Sequence, residues 1–198
     1  MNSIGTLSKE LGIVSVKDLR KRGFHSEKLR RLVQSGKMIR LDRGLYRLAG
    51  QDWDFHDSFA VVAKAQPGAI ICLSSALFYH KIGTQMPNEI WIALPMGRLR
   101  PPKLDTLKIR VFRFSTKSLG DGIEEVVISG VKVKITSPAR TVADCFKFRN
   151  KIGLDIALEA LREGWRRRRF TMDELSVQSR ICRVERIMAP YIEATVCS

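Results

Sequence analysis

The stretch from Ser26 to Leu48, SEKLRRLVQSGKMIRLDRGLYRL, changes period in its middle, and that change constrains the fold more than any other feature. Leu29, Leu32 and Val33 recur at i, i+3 and i+4, the spacing of one buried helix face, and Ser26 is placed to cap that helix with Gly36 ending it. Glu27, Arg30, Arg31 and Gln34 fall on the opposite side of the same wheel, with Lys28 at its edge. Immediately afterwards KMIRLDRGLYRLA offers two short strands about the turn DRG, whose glycine can take a positive φ, with Ile39, Leu41, Tyr46 and Leu48 available for packing.

Two further helices are expected ahead of this stretch. One spans Ile4 to Leu11, with Ser3 and Ser8 as rival starts. The other lies in VSVKDLRKRG, where Ser15 is the cap, Val16 and Leu19 share a side and Gly23 is the stop. Helix, helix, helix and hairpin are the parts of a winged helix-turn-helix, predicted over residues 1–50. In that arrangement one helix presents polar side chains to the major groove, where arginine bonds guanine N7 and O6 and glutamine bonds adenine, while hairpin cations meet phosphates. Charge follows the motif. The whole chain carries 35 Lys plus Arg against 20 Asp plus Glu, a net +15, which favours a polyanionic partner. Residues 1–50 hold twelve of those cations and four of the acids, so over half of the surplus sits in a quarter of the chain.

Past Gly50 the texture becomes mixed α+β, predicted as a second domain over 51–198. A helix is expected over WDFHDSFAVVAK, a buried strand from about Ala69, and a helix in SSALFYHKIG capped by Ser74 or Ser75 and stopped by Gly83. NEIWIALP reads as a strand, MGRLRPPK as a loop broken by Gly97 and the Pro101-Pro102 pair, and LKIRVFRFS, GIEEVVIS and VKVKIT as three strands. The last two form a hairpin. Ser137, with Pro138 at the first helical position, begins SPARTVADCFKFR; GLDIALEALREGW continues helical, and TMDELSVQS and RICRVERIMAPYIEATV give two more helices.

Other chemistry is weakly represented. Cys72, Cys145, Cys182 and Cys197 are widely spaced, and His25, His56 and His80 do not flank them, so neither a disulfide framework nor a metal site is expected. No P-loop, Rossmann glycine fingerprint, zinc-protease or nucleophile-elbow motif occurs, and no cofactor is expected. Ser74, Ser75 and His80 read as helix cap and half-buried helix face rather than nucleophile and base. Asp144 with Glu159 lacks the acid-x-Lys strand that would make a metal nuclease of the pair. Arg140 is placed to bridge Asp144 at i+4 in a structural role. The run Arg162 to Arg169 partly complements a helix C-terminus, yet four consecutive arginines exceed that need, which leaves a second phosphate contact or an acidic partner open. No signal peptide or membrane span is apparent, and the chain is expected to be cytoplasmic.

The ordered set of motifs resembles the AbiEi-type antitoxins and transcriptional regulators of type IV toxin-antitoxin systems. LRKRGFHSEKLRRLVQSGKMIRLDRGLYRLAG is similar to their winged helix, and CLSSALFYHKIG, EIWIALP and KITSPARTVADCFK to later motifs, so the resemblance runs from about Val14 to Phe148. It implies a non-enzymatic autorepressor that binds promoter inverted repeats and counters a nucleotidyltransferase-like toxin without a stable complex being required. On that resemblance Ser26, Lys28, Arg30, Arg31 and Gln34 take the recognition-helix role, and Arg40, Arg43 and Arg47 the wing. No antitoxicity residue carries over, and the last fifty residues match no motif of the family. The rival expectations are a nuclease guided by its winged helix, which clustered carboxylates would mark, and a regulator whose DNA affinity responds to a small ligand.

Overall fold

A computed structural model describes residues 12–97, 99–115 and 119–196. The helix expected over Ile4 to Leu11 and the last cysteine, Cys197, lie outside the described residues. The chain divides into two compact units, neither of them a continuous segment. The first comprises residues 1–69, 100–108 and 125–133, and the second 70–99, 109–124 and 134–198.

In the first unit β1 (Val14–Ser15) leads directly into α1 (Val16–Lys21). Ser15 caps this helix as expected. Its Oγ accepts from the Asp18 amide at 3.2 Å while Asp18 Oδ2 accepts from the Ser15 amide at 2.9 Å, so two of the helix's orphan amides are satisfied reciprocally. Gly23, at φ +79°, lets the Phe24 amide turn back onto the Leu19 carbonyl and closes the helix. α2 (Ser26–Gln34) starts one residue earlier than expected: His25, in an extended conformation, occupies the cap position and Ser26 is already helical. β2 (Met38–Asp42) and β3 (Leu45–Leu48) form the antiparallel wing, and β1 adds to the far side of β3, giving the order β1-β3-β2. Val14, Leu19, Phe24, Leu29 and Met38 make the core of this module, with Leu32, Val33, Tyr46 and Leu48 packed on it. α3 (Asp57–Ala65) begins later than Trp53 and completes the unit.

The Asp18 carboxylate also meets Lys64 Nζ of α3 at 2.8 Å. Burial alone would raise its pKa, but the Lys64 and Ser15 contacts outweigh that and hold it at about 2 against 3.8 for a free carboxyl. A depressed carboxylate pKa contributes stability above the unfolded value that is lost as pH falls through the folded one. The thermal stability of the first unit is therefore expected to fall as pH drops from 4 to 2. Asp18→Asn should flatten that profile, and an unchanged acid limb would remove the assignment.

A five-stranded sheet of order β6-β5-β4-β8-β7 is made of β4 (Ile70–Ile71), β5 (Ile90–Pro95), β6 (Ile109–Phe114), β7 (Ile123–Ile128) and β8 (Val131–Thr136); residues 125–133 of its β7 and β8 count with the first unit and the remainder with the second. β4 runs antiparallel to β5 and parallel to β8, and β5 is parallel to β6. Ser129 and Gly130, both at positive φ, make the two-residue turn between β7 and β8. The helices are α4 (Leu73–His80), α5 (Pro138–Lys147), the short α6 (Arg149–Ile152), α7 (Leu154–Arg166), α8 (Met172–Cys182) and α9 (Glu185–Val196).

Their core includes Leu73, Phe114, Val142, Phe146, Leu161 and Leu175. Ser137 caps α5 with Pro138 at the first turn, as expected. Two boundaries differ. Cys72, not Ser74 or Ser75, stands at the cap of α4, because Ser75 Oγ is taken up accepting from the Trp91 amide at 2.9 Å. Helix α8 runs on through Arg180, Ile181 and Cys182 and breaks at Arg183, which adopts φ +60° without being a glycine. The architecture is thus α+β with a winged helix at its start.

Candidate nucleic-acid interface

The separation of faces read from the helical wheel holds in space. Leu29 is buried and Leu32 and Val33 are half-buried against the module core, whereas Glu27, Lys28, Arg30, Arg31 and Gln34 are exposed. The exposed face is organised by one carboxylate. Glu27 Oε1 accepts from Arg30 Nη2 at 3.1 Å and from Arg31 Nε at 3.4 Å, the i+3 and i+4 neighbours, so two guanidiniums are gathered about a single acid. Their side chains remain 67% and 77% exposed. Lys28 turns back instead, with its ammonium 4.7 Å from the centre of the Phe24 ring. Gln34 lies at the C-terminal end of the helix. Ser26 sits at the first helical position.

The wing arginines are spread over the hairpin. Arg40 pairs across the strands with Tyr46, and Ile39 with Arg47, so alternation puts Arg40 and Arg47 on opposite faces. Arg40 Nε donates to the Asp42 carbonyl at 3.3 Å. Arg43 stands at the turn, 74% exposed, with Nε 2.8 Å from Asp105 Oδ2. Arg47 is half-buried: its Nη1 donates to the Gln51 carbonyl at 2.7 Å and its guanidinium lies 5.0 Å from the centre of the Trp53 ring. Of the three, Arg43 has the geometry of a cation presented at a tip, and Arg47 that of a brace closing the wing onto the segment after it.

Asp42 is the residue that sequence reasoning passed over. Only 4% exposed, it accepts from the amides of Arg43 at 2.6 Å, Asp105 at 2.8 Å and Thr106 at 3.0 Å and from Thr106 Oγ1 at 2.9 Å. Burial raises its pKa, but these donors more than compensate and leave it below the ordinary carboxylate value. Asp42 therefore anchors the turn end of the wing to the 100–108 segment. Only the Asp-Arg-Gly turn signal was available from sequence, because its partners lie some sixty residues away.

The residues weighed for catalysis have structural partners. His80 Nε2 donates to the Thr136 carbonyl at 2.7 Å, and burial lowers its pKa. Glu159 Oε1 accepts from the amide and hydroxyl of Thr84, while Asp144 pairs with Arg140, Oδ2 to Nε 2.8 Å. Cys72, Cys145 and Cys182 are free, buried thiols whose pKa burial pushes up. Among the described residues no group of three or more His, Cys, Asp or Glu is arranged to hold a metal ion, and no helix is long and apolar enough to cross a membrane.

Three comparisons bear on this geometry. Residues 6–49 match a family model described as a transcriptional regulator, AbiEi antitoxin, so the resemblance read from the motifs holds over the winged-helix segment, under a quarter of the chain. A comparison with curated protein sequences gives no match. Among solved structures, the RV2827C protein from Mycobacterium tuberculosis superimposes with a TM-score of 0.64 over 96% of this chain and 75% of that one, at 14% sequence identity. That likeness shows the fold, extending it from the winged helix through the second unit.

Proposed function

Taking the AbiEi regulator match over the winged-helix segment as premise, we propose that this protein is a DNA-binding transcriptional repressor of the antitoxin type. It represses its own operon by binding inverted repeats in the promoter, acts without catalysis, and counters a nucleotidyltransferase-like toxin with no stable complex required. The observation that carries this reading is the exposed face of α2, where Glu27 gathers Arg30 and Arg31 opposite the buried Leu29. Paired guanidiniums on the outer face of a helix that follows a capped helix and a tight turn suit the guanine edge in the major groove. Arg43 at the turn suits a phosphate.

The test is binding of the protein to the DNA upstream of its own gene, against a scrambled duplex, at several salt concentrations. A preference for the native sequence is expected. Arg43→Ala should weaken both duplexes alike and reduce the slope of log affinity against log salt by about 0.9, the contribution of one phosphate contact. Equal affinity for native and scrambled DNA would sink the repressor reading. The toxin arm is checked by growth of cells expressing the adjacent downstream reading frame with and without this protein: rescue supports it, and continued arrest counts against it.

A further inference from the structure

The four consecutive arginines after α7 do not share one role. Arg166 pairs with Glu163 on the preceding turn, and Arg167 Nε sits 2.8 Å from the same carboxylate while its Nη1 donates to the Lys81 carbonyl at 2.9 Å. Those two close the helix end. Arg168 and Arg169 have no ion-pair partner among the described residues and are exposed.

Their placement is rigid. The Arg168 amide bonds the Trp165 carbonyl and the Arg169 amide the Gly164 carbonyl, both at 2.9 Å, the pattern that ends a helix through a left-handed residue. That left-handed residue is Arg168, at φ +51°, a conformation that glycine adopts without the strain a side chain brings. Phe170, 5% exposed, seats its ring against Gly164, which has no side chain to obstruct it, and Thr171 with Glu174 forms a capping box that starts α8 at once. A corner locked on both sides thus holds the backbone of both arginines in place while their side chains stay exposed. They line a cleft of about 810 Å³ with Trp165, Phe170 and Met172. Glu174 is the one carboxylate lining it, and its Oε2 already accepts from the Thr171 amide at 2.8 Å.

We propose that this corner is a second nucleic-acid site, taking a nucleotide unit, free or within a single strand, with its base against Trp165 and its phosphate between Arg168 and Arg169. A half-buried indole beside two exposed cations is the combination that binds unpaired nucleotides, since any base offers a π face and the backbone a charge. An acidic polypeptide would use the guanidiniums but not the indole. The site belongs to the second unit and does not depend on the promoter-binding reading.

The test uses the full chain and a labelled single-stranded oligonucleotide of mixed sequence. Arg168→Gly with Arg169→Gln removes both charges while relieving the left-handed strain, so the melting temperature should not fall. Single-strand affinity is expected to drop at least about tenfold, with the salt slope reduced by about 1.4 for two contacts, while any preference between duplexes stays as in the wild type. Trp165→Leu should weaken the strand roughly fivefold or more. Displacement by AMP assigns the site to free nucleotides as well, and displacement by unlabelled strand alone assigns it to strands. Unchanged single-strand affinity in the arginine variant overturns the proposal. So does its loss in Arg30→Ala with Arg31→Ala instead. Displacement by polyglutamate as effective as by strand, with Trp165→Leu inert, would overturn it in favour of an acidic polypeptide.

Discussion

Replacing Asp144 with alanine is expected to destabilise the second unit by about 3–5 kcal/mol, lowering its melting temperature by roughly 10–20 °C. Arg140 and Asp144 are both fully buried, with Arg140 Nε 2.8 Å from Asp144 Oδ2. Cys182 Sγ donates to the other carboxylate oxygen at 3.2 Å, and Arg140 Nη1 donates to the Asp121 carbonyl at 3.0 Å. Removing the acid leaves a guanidinium buried without its counter-charge, and that penalty, rather than the worth of the pair itself, dominates the loss. The surroundings leave little room for the arginine to escape, since a Cβ on Gly122 would already come within 2.8 Å of Arg140 Cβ and 2.7 Å of Gln178 Oε1. The same logic gives the control. Arg140→Met with Asp144→Leu removes both charges together and should recover most of the lost stability. Calorimetry of the two variants decides the matter: a loss under about 1 kcal/mol in Asp144→Ala, or no recovery in the double variant, would show that the buried charge is not what destabilises.

This pair was legible in the sequence because i and i+4 on one helix is a local relation, and so were the cap at Ser15, the Ser137-Pro138 helix start and the two faces of α2. What was not legible depends on distant residues. β1 is two residues long and carries no period of its own; it exists because Val14 and Ser15 pair with Tyr46 and Leu45. Ser74 and Ser75 have the right chemistry for a cap, yet the Trp91 amide claims Ser75 and the helix starts earlier. Arg183 ends α8 where no glycine marks a stop. The anchoring of the wing by Asp42 escaped for the same reason, since its donors at 105 and 106 are brought in by the fold. In the candidate interface, period predicts which side chains face outward, but not that one glutamate would tie two of the arginines or that Arg47 would fold onto Trp53.

The tie at Glu27 leads to the second large effect, on DNA binding. Exposed ion pairs contribute about 0–1 kcal/mol, so Arg30 and Arg31 can leave Glu27 for a base edge at small cost. Each arginine that reads a guanine is worth about 1–3 kcal/mol of discrimination. Arg30→Ala with Arg31→Ala is therefore expected to reduce the preference for native promoter over scrambled duplex by roughly two orders of magnitude or more, while the melting temperature stays near that of the wild type because neither side chain packs. Glu27→Gln should act in the opposite sense on one quantity and the same sense on the other. With the tie loosened and a negative charge gone, affinity for scrambled DNA rises, and the preference for the native site narrows. Titration of both duplexes with the three proteins at one salt concentration separates these outcomes. If the double-alanine variant still discriminates as the wild type does, the exposed face of α2 does not read sequence, however well its charges are arranged.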